Sequence, residues 1–215
     1  KTPYFTLKLA MSLDGKIATN TGKSKWISGI QSRQLVHKYR SDVDAIITGV
    51  GTVIKDNPQL NVRLENISKS NQPKKIIFDT NGRIPIDSQC LDSNTIIICS
   101  NINDKIEHEL LNKSVTIEKI PTSNSGSLDL KYLNDILLKH KLINVFVECG
   151  PTLTSEWMKL NLIQKLLIFI SPKIIGGSKY VPFANINSDE MSKVFNLKKI
   201  QHSQIGKDIL IKGWF

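Results

Sequence analysis

The sequence predicts an α/β fold, with a mainly parallel central sheet flanked by helices and an antiparallel C-terminal edge. Three observations carry this. Short, almost continuously apolar runs recur (Asp44–Thr48, Lys75–Asp79, Thr95–Cys99, Asn144–Glu148), the pattern of strands covered on both faces. Helical patterns separate them, as βαβ units require. The last strand-like runs, by contrast, follow one another with no long helix between them, which suits an antiparallel edge.

Along the chain, Tyr4 to Met11 alternates, with Phe5, Leu7, Leu9 and Met11 on one face, and predicts a strand. Asp14-Gly15 marks a turn, and a polar loop runs to Lys25. Ser28 with Gln31 has capping-box form. It opens a helix with Ile30, Leu35, Val36 and Tyr39 inward, ending near Ser41. The strand at Asp44–Thr48 runs into Gly49-Val50-Gly51-Thr52 and a short helix, which Asp56-Asn57-Pro58 stops. Glu65 to Gln72 reads as a polar surface loop. Helices are expected at Asp104–Asn112 and Asp129–His140, with a Ser/Gly-rich connector at Thr122–Ser127. Gly150-Pro151 precedes a helix over Thr152–Asn161, since proline suits the first helical position. Lys165–Ser171 reads as a strand, followed by Pro172 and Gly176-Gly177, and Lys207–Trp214 as a closing strand.

With 215 residues, 40% of them hydrophobic, the chain can bury a core, and residues 1–215 read as a single domain. No stretch of roughly 18 apolar residues occurs, so no membrane-spanning helix is expected. The three cysteines, Cys90, Cys99 and Cys149, are scattered and odd in number, which favours a reducing, cytoplasmic setting over a disulfide framework. The four histidines form no metal-ligand spacing, so no metal is expected. The formal net charge is +10, from 29 basic and 19 acidic residues. Its carriers are nearly all dispersed lysines, the mark of compositional bias rather than a nucleic-acid-binding stripe. Arginine is scarce (Arg33, Arg40, Arg63, Arg83), which hints that the planar fork is needed where it occurs.

Several stretches carry chemistry. Gly49-Val50-Gly51-Thr52 follows a strand and opens a helix, but Ile54 stands where the dinucleotide fingerprint needs its third glycine. It reads either as a phosphate-facing turn or as a plain strand-to-helix turn. Glu148-Cys149-Gly150-Pro151-Thr152-Leu153 places a carboxylate at a strand's carboxyl end and a bare glycine at a helix start, where α/β ligands bind. Glu148 could otherwise serve the helix N-terminus. Trp26, in a polar loop with Ser24, is a ligand lid or a packing anchor. Arg40 and Arg63 flank a short helix and could clamp a phosphomonoester. Alternatively Arg40 pairs with Asp42 or Asp44.

Taken in order, the motifs resemble one family. They are Lys8-x-Ala10-x-Ser12-Leu13-Asp14-Gly15-Lys16-Ile17-Ala18, Ser24-x-Trp26-Ile27-Ser28, His37 and Arg40, and Asp44-Ala45-Ile46. Then come Gly49-x-Gly51-Thr52, Asp56-Asn57-Pro58-Gln59-Leu60-x-x-Arg63, Glu148-x-Gly150-Pro151-Thr152-Leu153 and Ser171-Pro172-Lys173-Ile174-Ile175-Gly176-Gly177. Together they resemble the reductase domain of the bacterial riboflavin-biosynthesis deaminase/reductase, over nearly the whole chain and least between Asn66 and Leu142.

The resemblance implies a dihydrofolate-reductase-like fold and NADPH-dependent reduction of 5-amino-6-(5-phosphoribosylamino)uracil, the ribosyl group becoming a ribityl chain. It implies cofactor contacts at Ala10, Trp26, Thr52, Asp56, Thr80, Gly150, Pro151, Thr152, Leu153, Thr154, Ser155 and Glu156. Substrate contacts are implied at Ser24, Arg40, Leu60, Arg63 and Glu148. Lys8, Asp56 and Glu148 are the expected catalytic residues, positioning hydroxyls or assisting proton transfers. A homodimer is expected, as is an upstream zinc deaminase in the native chain, whose H-x-E and P-C-x-x-C signature is missing from these residues. Neither nucleic acid nor membrane is expected as a partner. The rival readings are a reductase of the non-deaminated diaminopyrimidinone, a dihydrofolate reductase, a basic nucleic-acid-binding module and a domain that only binds nucleotide.

Overall fold

A computed structural model describes residues 2–64 and 72–215. The loop expected at Glu65–Gln72 therefore lies, except for Gln72, outside the described residues. The chain forms two compact units, interleaved in sequence: residues 2–4 with His37–Cys149, and Phe5–Val36 with Gly150–Phe215.

The first unit is built on a parallel sheet. Its strands are β2 (Ala45–Gly49), β3 (Lys74–Phe78), β4 (Thr95–Cys99), β5 (Thr116–Lys119) and β6 (Asn144–Val147), in the spatial order β5-β4-β3-β2-β6. Ile46, Ile47, Ile76, Ile77, Ile96, Ile97 and Ile98 are all buried, as continuous apolar runs require. Helices follow the strands: α2 (Val50–Asp56) after β2, α3 (Asp104–Asn112) after β4, and α4 (Leu133–Lys139) before β6. The expected helix Asp129–His140 begins as a 3-10 turn, Leu130–Tyr132, capped by the Asp129 side chain. Asn103 caps α3 through its own side chain. β5 was not anticipated; its Thr-Ile-Glu-Lys sequence has a single apolar residue.

The second unit holds β1 (Tyr4–Ser12) from Phe5 onward, β7 (Lys165–Ser171), β8 (Lys199–Ile205) and β9 (Asp208–Trp214). β1 and β7 are parallel, β9 runs antiparallel to β7, and β8 antiparallel to β9. The antiparallel C-terminal edge is thus present. Its outermost strand is β8, which the sequence did not reveal, and β9 lies inside it. The helix α5 (Pro151–Lys159) buries Trp157, whose ring meets Phe5 edge-on at 4.9 Å between centroids.

The helix α1 spans Ile30–Ser41. Its start corrects the capping-box expectation at Ser28 and Gln31. The Asp208 carboxyl, from β9, accepts from the Gly29 N–H at 2.7 Å and from the Ser32 hydroxyl at 2.6 Å. Ser32 is accordingly buried, and Ile30, expected inward, is exposed. Asp208→Ala would leave two donors without their acceptor. The expected loss is about 1–3 kcal/mol of stability, read as a lower urea midpoint with the slope unchanged.

Candidate active site

In the first unit, β6 delivers Glu148 to the carboxyl end of a parallel strand, and its N–H donates to the Ile47 carbonyl at 2.9 Å. Arg40 sits in the last turn of α1. Its Nε donates to Glu148 Oε1 at 2.5 Å, and its Nη1 to the Asn61 carbonyl at 3.0 Å. Arg40 therefore pairs with neither Asp42 nor Asp44. Asp44 instead accepts from the N–H groups of Ile143 and Asn144. Both side chains of the Arg40–Glu148 pair are 13% exposed. Burial works against the Arg40 charge, but the Glu148 carboxylate outweighs it, and the guanidinium pKa is raised.

Arg63 joins this group. Its Nη1 donates to Asn61 Oδ1 at 2.7 Å and to Gln59 Oε1 at 3.2 Å, and its backbone N–H to His37 Nδ1 at 3.3 Å. Partial burial and the nearby Arg40 lower its pKa. His37, which the sequence places only within a motif, is held down to about 4 by burial, then by Arg40 and Arg63. At neutral pH it is a neutral ring with its proton on Nε2, because Nδ1 accepts from Arg63. The charges of Arg40, Arg63 and Glu148 sum to +1, a net positive corner that suits a phosphate.

His37 makes the stability of the fold depend on pH. Its folded pKa lies below its ordinary value of 6.5. As pH falls from about 6.5 toward about 4, the unfolded chain therefore takes up a proton that the folded one refuses, and stability declines. His37→Gln should flatten the drop in melting temperature between about pH 7 and pH 4.5. Equal drops in both proteins would show that His37 does not carry it.

The segment from α2 to Arg63 is held in an uncommon backbone. Asn57, at the end of α2, has φ 40°, and Leu60 has φ 50°. Asn tolerates this region; for Leu it carries strain, a feature that gathers at binding sites. Leu60 itself is buried, so its side chain packs inward. Thr52 and Asp56 lie half-buried on α2. The Thr80 carbonyl, just past β3, accepts from the N–H groups of Ser100 and Asn101. Thr48 was not anticipated: it is fully buried near the end of β2, and its hydroxyl has no hydrogen-bond partner among the described residues. A threonine closing an apolar strand before Gly49 is the signal that could have marked it.

In the second unit, Lys8 and Ala10 stand on one face of β1, both half-buried. Gly150 precedes α5 with no side chain capping it, and a Cβ there would meet nothing within 4 Å. The Thr154 N–H closes back onto the Gly150 carbonyl, so the N–H groups of Thr152 and Leu153 stay outside the helical ladder. That cradle fits a phosphate. Thr152 is exposed, and Pro151, Leu153 and Glu156 are half-buried. Thr154 and Ser155 are buried, and Ser155 accepts from the Asn185 N–H. These two side chains belong to the wall of the helix. Trp26 is 63% exposed, with the Arg33 guanidinium 4.4 Å from its ring centroid, and Ser24 is half-buried in the same loop. Among the described residues no cluster of His, Cys, Asp and Glu could hold a metal ion, and no helix is long and apolar enough to cross a membrane.

Parallel strands, antiparallel C-terminal strands and these two sets of residues define a class, the dihydrofolate-reductase-like α/β domains. The chain belongs to one family within it, the RibD C-terminal domain, whose profile matches residues 3–211. It is 36% identical over 97% of its length to riboflavin biosynthesis protein RibD of Aquifex aeolicus. The same comparison covers 57% of the Aquifex protein, so the chain spans little more than half the length of such relatives. RibD of Acinetobacter baumannii superposes with a TM-score of 0.87 at 32% identity, over 99% of this chain and 58% of that one. The Thermotoga maritima protein described as a diaminohydroxyphosphoribosylaminopyrimidine deaminase/5-amino-6-(5-phosphoribosylamino)uracil reductase matches at a TM-score of 0.77 and 26% identity, over 99% of this chain and 56% of that one.

Proposed function

We propose that the chain reduces the ribosyl group of 5-amino-6-(5-phosphoribosylamino)uracil to the ribityl product, with NADPH, in riboflavin biosynthesis. The observation that carries this is the Arg40–Glu148 pair beside Arg63 and His37, in a chain of the RibD C-terminal domain family. Arg63, the Nη2 of Arg40 and His37 Nε2 are the groups that receive the substrate phosphate. Glu148 positions the sugar. Its bond to Arg40 orients the carboxylate.

Reduction at C1′ requires the glycosylamine ring to open first to an imine. That step moves protons at the ribose oxygen and the amine nitrogen, and Lys8 and Asp56 are the groups we assign to it. When bound, the nicotinamide supplies the hydride. Gly150 with the Thr152 and Leu153 N–H groups would hold the cofactor's pyrophosphate, whose charge the α5 N-terminus would favour. Ala10, Trp26, Thr52, Asp56 and Thr80 complete the cofactor contacts, and Ser24 and Leu60 line the substrate. The protein acts in the cytoplasm as a homodimer, and the additional length of its relatives fits an upstream deaminase in the native chain.

The test is NADPH oxidation with the enzymatically deaminated substrate, run beside NADH, beside the non-deaminated diaminopyrimidinone and beside dihydrofolate. Oxidation of NADPH that depends on the deaminated substrate is expected. Turnover of dihydrofolate instead would overturn the reading.

A further inference from the structure

Three sequence motifs outside the catalytic assignments meet in the second unit. The turn after β1 carries Asp14, whose carboxylate accepts from the Ser12 hydroxyl at 2.6 Å and from the N–H groups of Ile175 and Gly176 at 3.0 and 2.7 Å. These bonds lower the Asp14 pKa to about 2, so it is ionised at working pH. The Leu13 N–H also donates to the Lys173 carbonyl at 2.8 Å. The segment after β7 is thereby fixed at several points, and it carries Lys173. The Lys173 ammonium donates to the Trp26 carbonyl at 2.6 Å and to the Ile27 carbonyl at 2.9 Å.

The loop so gripped is the one that presents Trp26. Arg33 covers one face of that indole and donates through Nη1 to the Ser28 carbonyl at 2.7 Å. An exposed lysine in a chain rich in lysine is ordinarily a solvated surface charge. Lys173 instead holds two consecutive carbonyls. That grip fixes the direction of the peptide on which Trp26 sits, and charge-assisted bonds are the strong kind. An indole backed by a guanidinium on one side leaves its other side for a flat ring.

We propose that Lys173 is a positioning residue, holding the Trp26 loop in the form that receives the nicotinamide cofactor. This rests on the function proposed above. Lys173 touches no reacting atom and acts through Trp26. Asp14 and the Ser171–Gly177 segment are its footing, which gives those motifs a role in cofactor binding. Loss of the grip should weaken the cofactor complex and leave the chemical step near its original rate once the cofactor is saturating.

The experiment uses a Trp214→Phe background. Trp157 is fully buried, so acrylamide quenching there reports Trp26. Lys173→Met keeps the stem and removes the donors, whereas Lys173→Arg keeps two donors in a fork. The Met variant is expected to show a higher quenching constant without any ligand. Its KM for NADPH should rise about tenfold, as loss of charged hydrogen bonds implies, with kcat within about twofold. The Arg variant should recover most of both losses. A Met variant with unchanged quenching, or with unchanged KM, would overturn the proposal. If the parent protein oxidises no NADPH with the phosphoribosyl substrate, the function proposed above fails. The ligand-free quenching then still decides whether Lys173 sets the Trp26 loop.

Discussion

Arg40→Met is expected to lower kcat/KM for the phosphoribosyl substrate by about 10²–10³-fold. Removing one partner of a largely buried ion pair costs about 3–5 kcal/mol, most of it from the charge left behind. Here that charge is Glu148, at 13% exposure and without its guanidinium. On the proposed function the loss falls on binding twice: the carboxylate assigned to the sugar is no longer oriented, and one of the two cations assigned to the phosphate is gone. Arg40→Lys should rescue little. Arg40 serves Glu148 through Nε and the Asn61 carbonyl through Nη1, and an ammonium cannot reproduce that fork. Steady-state kinetics against substrate concentration check this. Full activity in Arg40→Lys would mean that charge alone matters there.

Trp157→Ala is expected to cost about 3–5 kcal/mol of stability, the range for truncating a buried large aromatic. Against a total of about 5–15 kcal/mol, this is a large share. Trp157 is fully buried on α5 and packs edge-on against Phe5 of β1. The cavity would sit beneath the helix whose first turn forms the Gly150 cradle, so cofactor affinity should fall with stability. Trp157→Phe keeps an aromatic ring and should lose much less. Urea unfolding of the three proteins compares them, and midpoints that coincide would contradict the packing account.

The interior strands are legible because β2, β3 and β4 each carry a run of consecutive buried apolar residues and need no partner to be recognised. β5 and β8 failed that test for a physical reason. Thr116–Lys119 and Lys199–Ile205 are mostly polar and exist through pairing with a neighbour, Ile96–Cys99 in one case and Asp208–Trp214 in the other. The inner face of α1 was misread for a similar reason. Ser32 is buried because a carboxyl 176 residues away takes its hydroxyl, and no local periodicity encodes that. At the site, the motifs named Arg40 and Glu148 separately. The bond between them joins residues 108 apart, whereas the sequence offers only the nearer acids Asp42 and Asp44 as ion-pair partners for Arg40. His37 and Lys173 stood inside motifs, but their roles depend on what the fold sets beside them. For His37 that neighbour is Arg63, and for Lys173 it is the Trp26 and Ile27 carbonyls.

The central claim is hydride transfer to C1′ of the opened sugar. It is tested most directly by supplying NADPH carrying deuterium at the transferred position and locating the label in the product by mass and NMR spectroscopy. The expected product is the ribityl compound with a single deuterium, located at C1′. A reduced product without deuterium, or no reduced product from the phosphoribosyl substrate, would contradict it.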